Sequence, residues 1–251
     1  MVTYLILCPL MFLAGFIDAI AGGGGLISLP AYMIVGLPVH NAIATNKLSS
    51  SMGTTVATTK YALRGMIPWK QVPFYVACAF IGSSIGANLA LMINEYYFKI
   101  LMLVIVPLTL VYVLKKKNFD VTKEPFSKRK TILLCMASAF VVGIYDGFYG
   151  PGTGTFLLLL LTAVARIDLR QANGITKCIN LTTNISALVV FFSNSVVIVK
   201  MGLICGCFNI LGNYIGATSF TKKDATFVKP VMVTVLAIFI IKLLYELFIQ
   251  A

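Results

Sequence analysis

Charge is scarce in this chain. Of its 251 residues 11% are charged, where soluble domains carry about 25%. The longest polar stretch, Lys115 to Lys130, is the size of a loop and too short to fold alone. Acidic residues are the rarer kind, eight against twenty basic, for a formal net charge of +12. In a soluble protein that excess would point to nucleic acid. Here no aromatic–basic platform or recognised binding motif accompanies it, so nucleic acid is not an expected partner. Histidine occurs once, at His40, which leaves no His-based metal site, no histidine dyad and no His-Glu-x-x-His motif. Neither an enzyme, a metal site nor a cofactor is expected. The six cysteines lie in apolar segments and form no Cys-x-x-Cys pair. On a helix Cys205 and Cys207 point about 200° apart, so all six read as small packing residues.

What the chain has instead is apolar length. Hydrophobic residues make up 59% of it and the mean hydropathy is +0.94, which identifies a polytopic membrane protein. Apolar runs bounded by Gly, Pro or charge predict ten elements: 3–21, 25–37, 40–63, 68–92, 96–114, 131–149, 152–165, 169–193, 199–220 and 225–249. Most are long enough to cross a hydrocarbon core of about 30 Å. The elements at 25–37 and 152–165 are short, and each follows a knot of glycines. Residues 4–17 with Ala19-Ile-Ala21 imitate a signal peptide, but no basic residue precedes them. The segment also recurs at 131–149, so it is expected to belong to the fold.

The recurrence is extensive. Gly15-Phe-Ile-Asp-Ala-Ile-Ala-Gly-Gly-Gly-Gly-Leu26 is echoed by Gly143-Ile-Tyr-Asp-Gly-Phe-Tyr-Gly-Pro-Gly-Thr-Gly154. Gly15, Asp18, Gly22 and Gly24 recur 128 positions on, as Gly143, Asp146, Gly150 and Gly152. Ala42, Lys47, Lys70 and Lys99 recur 130 positions on, and Gly82-Ser-Ser-Ile-Gly-Ala87 matches Gly212-Asn-Tyr-Ile-Gly-Ala217 at the same offset. Two repeats follow, residues 1–114 and 131–251, joined by the basic loop 115–130.

The repeats are parallel if the short elements do not cross the bilayer and inverted if they do. With the 115–130 loop fixed as cytoplasmic, the inverted arrangement puts 15 basic residues inside and two outside. The parallel arrangement gives 11 and 6. Basic residues favour the cytoplasmic side, so the expected fold is all-α, with two inverted repeats of about five helical elements and a glycine-broken helix at the start of each.

Broken helix at membrane depth persists only where protein buries it or where it lines a cavity. A duplicated pair of broken helices points to a transport site at the repeat interface. Free N–H groups and the positive dipole end at each short helix suit an anion. Gly22, Gly23, Gly24, Gly25, Ser28, Gly150, Gly152, Thr153, Gly154 and Thr155 are the candidates there. The third element of each half adds Thr45, Asn46 and Lys47, and then Thr176, Lys177 and Asn180. Lysines at membrane depth are functional candidates by default, and an ammonium there needs a carboxylate partner or an anionic substrate. Asp18 and Asp146 supply the first option as salt-bridge partners, or act as proton carriers; both readings stand.

The run from Gly15 to Pro30, followed by Ala44-Thr-Asn-Lys47, resembles the TauE/SafE-type sulfite and sulfonate exporter family of membrane permeases. The resemblance covers essentially the whole chain. In the second half Thr176-Lys177 stands where the first has Thr45-Asn46-Lys47. The resemblance implies a secondary transporter of the prokaryotic inner membrane that moves a small sulfur-containing anion, such as sulfite or an organosulfonate. The residues themselves carry only a duplicated, donor-rich pore suited to an oxyanion. A passive anion channel or an accessory subunit would use the same residues. The small anion and the lipid bilayer are the expected partners, and nothing in the sequence signals an oligomeric state.

Overall fold

The computed structural model describes residues 2–115 and 126–219, together with Val233, Thr234, Leu236, Ala237, Phe239–Ile241, Leu244 and Tyr245. The tenth expected element falls largely outside the described residues, as do 116–125 of the basic loop.

The described chain is helical throughout. Its elements are α1 (Val2–Ala21), α2 (Gly25–Ile34), α3 (Val39–Leu63), α4 (Val72–Met92), α5 (Glu95–Lys115), α6 (Lys128–Phe148), α7 (Thr153–Leu159) with a π-helical turn (Leu160–Val164), α8 (Leu169–Ser193) and α9 (Val199–Ser219). Five of them are long and apolar enough to cross a membrane: Val2–Ile20, Val72–Met92, Lys128–Phe148, Leu169–Ser193 and Val199–Thr218. Helix α3 has the length, at 25 residues, but its hydroxyls and amides hold its hydropathy down. Most boundaries sit within a few residues of expectation. The exceptions have local causes: Val35–Leu37 is a helix-ending turn closed by Leu37 N–H on the Tyr32 carbonyl, and Pro68–Gln71 is a turn before α4.

The packing partners of one half map onto those of the other. Helix α1 lies against α9 and α6 against α4, while α3 packs on α9, α8 packs on α4, and α3 and α8 touch one another. Lipid tails are as apolar as the side chains, so association rests on close packing. Glycine supplies it: a Cβ at Gly82 would strike the Phe140 carbonyl, and one at Gly212 would strike the Phe12 carbonyl. These are equivalent contacts in the two halves, at the two offsets found in the sequence. Two apolar clusters flank the centre. One gathers Leu7, Met11, Tyr32 and Phe98, the other Tyr75, Cys135, Leu157 and Ile179.

Helices α3 and α8 run antiparallel. Asn41, at the start of α3, donates to the carbonyl of Val196 just past the end of α8. Arg170, at the start of α8, donates to the carbonyl of Arg64 at the end of α3. The basic residues Lys60, Arg64, Lys130, Arg166 and Arg170 meet at this second end. Lys130 and Arg166 each lie 3.9 Å from the Phe126 ring centre, and Lys60 bonds Thr218.

Candidate functional site

The two glycine knots meet at the centre of the molecule. Gly22 packs directly on Gly154 and Gly25 on Pro151, with no room for a side chain between Gly22 and Gly154. Gly22, Gly150 and Gly152 hold positive φ, at 68°, 98° and 86°. That left-handed backbone lets the chain leave α1 and α6, turn, and start the short helices α2 and α7 without a Cβ clash.

Around this junction lies a small polar cavity. Its walls are Asp18, Gly22, Gly24, Gly25, Asn46, Lys47, Ser50, Thr54, Asp146, Gly150, Gly152, Thr153, Gly154, Asn180, Asn184 and Asn209. The free space inside is about 20 Å³, enough for about one water-sized sphere.

Both buried lysines are paired, and each pair joins the two halves. Lys47 Nζ of α3 donates to Asp146 Oδ2 of α6 at 2.8 Å. Lys177 Nζ of α8 donates to Asp18 Oδ2 of α1 at 3.0 Å and also to the Asp18 main-chain carbonyl. Lys47 is 1% exposed and Lys177 2%, so removing either partner would leave a charge stranded in a low-dielectric interior. The four charges sum to zero. The Thr153 hydroxyl lies 2.6 Å from Asp146 Oδ1 and from the Gly150 carbonyl.

The remaining wall is rich in donors. On α3, Asn46, Ser50 and Thr54 share one face at spacings of four; on α8, Thr176, Asn180 and Asn184 do the same. Each member of one stripe is 130 positions from its counterpart. Ser50 donates to Asn46 Oδ1. The Asn46 Nδ2 amide and the side-chain amides of Asn180 and Asn184 have no hydrogen-bond partner among the described residues. Buried polar groups normally find partners, so unengaged amides around a cavity mark a surface built to hold something polar.

Several sequence-predicted site residues stand away from the cavity wall. Gly23 is buried in the first knot. Ser28 donates back to the Gly24 carbonyl, and Thr45 accepts the Ile198 N–H. Thr155 is buried in α7. Thr176 is buried with its hydroxyl unpartnered among the described residues, and Lys177 lies behind Asp18. Conversely, Ser50, Thr54, Asn184 and Asn209 line the cavity without having been singled out. The i, i+4, i+8 stripes carried the signal for the first three. Asn209 sits in apolar α9, where an amide is costly in lipid and where Asn213 donates to it one turn on, and its counterpart in the other half is Ala79, so no repetition flags it.

Gly82-Ser83-Ser84-Ile85-Gly86 has the Gly-x-Ser-x-Gly spacing of a nucleophile elbow, a match that bears on the enzyme question. The elbow needs a strand-to-helix turn. Here the segment is the middle of α4: its glycines meet α6, Ser83 donates to the Thr183 carbonyl and Ser84 pairs with Ser186. The single histidine, His40, is engaged with the Ala90 carbonyl. No group of three metal-ligating side chains occurs among the described residues.

Comparison with known proteins agrees with this architecture. The sequence profile described as "Sulfite exporter TauE/SafE" matches residues 7–243. A "Probable membrane transporter protein ORF9" from Sinorhizobium sp. is 36% identical over 237 residues, covering 94% of this chain and 90% of the relative. "Probable membrane transporter protein YfcA" from Escherichia coli K12 is 34% identical over 250 residues, with 98% and 92% covered. "Probable membrane transporter protein YdhB" from Bacillus subtilis is 30% identical over 259 residues, with 95% and 100% covered. No solved structure matches the chain significantly. The family match and the five apolar helices together make this an integral membrane protein, and the chain belongs to the sulfite exporter TauE/SafE family.

Proposed function

We propose that this protein is a secondary transporter for a small oxyanion, bound at the junction of the two glycine knots and passed across by alternating access. The observation that carries this reading is the small polar cavity at that junction, where Lys47 and the unengaged amides of Asn46, Asn180 and Asn184 converge. Amide and ammonium N–H groups offer what an oxyanion loses with its hydration shell. The site is buried at the junction of the two halves, so alternating access would open its walls toward one side of the membrane at a time.

Sulfite is the substrate suggested by the family's description, and an organosulfonate presents the same kind of sulfur oxyanion. The antiparallel run of α3 and α8 supports two inverted repeats, 1–114 and 131–251. The basic cluster near Phe126 supports a cytoplasmic side for the 115–130 loop, in a prokaryotic inner membrane. An anion entering a charge-balanced site brings a charge with it. Proton uptake by Asp146 or Asp18 would offset that charge and couple transport to a proton gradient.

Reconstituted protein should carry radiolabelled sulfite into liposomes with saturable kinetics, faster when a proton gradient is imposed. Flux indifferent to an uncoupler removes the coupling, and non-saturating flux at channel rates makes the protein a passive pore. Absence of flux for sulfite, thiosulfate, sulfate and taurine alike overturns the transport reading. Labelling of cysteines placed at 116 and at 222 and 223 from opposite sides of the membrane would overturn the topology.

A further inference from the structure

The two buried ion pairs are equivalent by position yet unlike in their surroundings. Both members of Lys47–Asp146 line the central cavity, whereas Lys177 does not. Lys47 Nζ has one acceptor among the described residues, Asp146 Oδ2, and an ammonium has three donors. Two N–H bonds of Lys47 are therefore uncommitted beside the cavity. Lys177 Nζ has two acceptors, both from Asp18, the carboxylate and the main-chain carbonyl. That carbonyl also takes the Gly22 N–H where α1 ends, so Lys177 clamps the start of the first knot.

The carboxylates differ in the same sense. If Lys47 left Asp146, the Thr153 hydroxyl would remain at 2.6 Å from Oδ1. The position equivalent to Thr153 in the first half is Gly25, so Asp18 would lose its only side-chain donor among the described residues. Asp18 turns its remaining edge to the cavity, where negative charge pushes an anion toward Lys47 and the amides of Asn46, Asn180 and Asn184.

We infer that the pairs divide the work: Lys47 exchanges Asp146 for the transported anion, while Lys177 stays on Asp18 as a tie that positions the knot. Lys47 is thereby the binding residue, Thr153 holds the carboxylate that Lys47 releases, and Lys177 is a positioning residue. This rests on the transport reading above, and its test separates the two.

The experiment uses the full chain in proteoliposomes with radiolabelled sulfite as probe, and compares two pairwise neutralisations. Lys47→Gln with Asp146→Asn should fold and lose sulfite uptake about a hundredfold, the scale expected for truncating a buried charged contact. Lys177→Gln with Asp18→Asn should lose less than about tenfold per folded molecule and melt lower instead, by about 4 °C or more. In a background with the six native cysteines replaced, Lys47→Cys should react with a methanethiosulfonate reagent about tenfold faster than Lys177→Cys, in line with which residue faces the cavity. Equal uptake losses with equal labelling, or the reverse order, overturns the division. If the parent protein carries no sulfite, that substrate fails, and the labelling and melting contrasts still decide the division of the pairs.

Discussion

Gly36 and Gly65 close α2 and α3 in the first half; Arg166 and Ser195 close the equivalent helices in the second. All four backbones take the left-handed turn, with φ of 94°, 65°, 56° and 57°. The hydrogen bonds around Gly65 and Ser195 match as well, since Met66 N–H reaches Tyr61 and Val196 N–H reaches Phe191. The start of the third helix differs too. In α8 the local residue Asp168 accepts the N–H groups of Arg170 and Gln171. In α3 Pro38 occupies that place, and Val39 N–H is satisfied by Glu95, 56 positions away at the start of α5. The backbone of the repeat has been held while side chains diverged. A helix end needs a donor or acceptor at a point in space, and the chain can supply it locally or from a distant element.

The largest break in this comparison should come at the knots. A Cβ at Gly22 would sit 2.7 Å from the Gly154 backbone, whereas one at Gly152 would meet only side-chain atoms at ordinary contact distance, the Phe156 ring at 3.4 Å and Leu26 Cδ2 at 3.6 Å. Gly22→Val is expected to cost more than about 3 kcal/mol and abolish a monodisperse detergent peak. Gly152→Ala should cost about 1–2 kcal/mol, from its φ alone. If the two variants melt together, the knots are not in contact.

The caps come next. Asp168→Ala should cost about 1 kcal/mol, and Glu95→Ala a similar amount despite its distance from α3. Replacing Pro38 with Asp in the Glu95→Ala chain should recover stability, because the first half would then cap its helix as the second does. Thermal unfolding reads all three variants, and a failure of that rescue would mean that Glu95 does more than cap.

The smallest effects are expected at the left-handed turns. Ser195→Gly should stabilise by about 0.5–1 kcal/mol and Gly65→Ala destabilise by about 1 kcal/mol. Arg166→Gly should gain less than Ser195→Gly, since it also gives up the Phe126 ring. Equal gains at both sites would show that the ring contact contributes nothing.

Much of this was legible in the sequence because duplication acts as an internal control. Gly15 and Gly143, or Lys47 and Lys177, stand out by recurring at a fixed offset, and the knots announce themselves through φ requirements that glycine alone meets cheaply. The extent of the described helices followed from apolar length. The sequence also limited the lysines to two kinds of partner, and the structure records Asp146 and Asp18 opposite them. What escaped has a common cause. Asn209 and the Glu95 cap occur in one half only, so repetition is silent about them. Their partners lie far along the chain or in the backbone, where no local pattern reaches. The π-helical turn at Leu160–Val164 has no counterpart in α2 and no residue pattern that announces it.

A cavity whose fixed charges cancel has an electrical consequence. Moving one net charge through the bilayer field involves about 2.3 kcal/mol per 100 mV, but Lys47, Asp146, Lys177 and Asp18 travel as a neutral set. In the alternating-access cycle proposed above, reorientation of the unloaded protein would then be indifferent to voltage, and any current would belong to the step that brings the anion in unaccompanied.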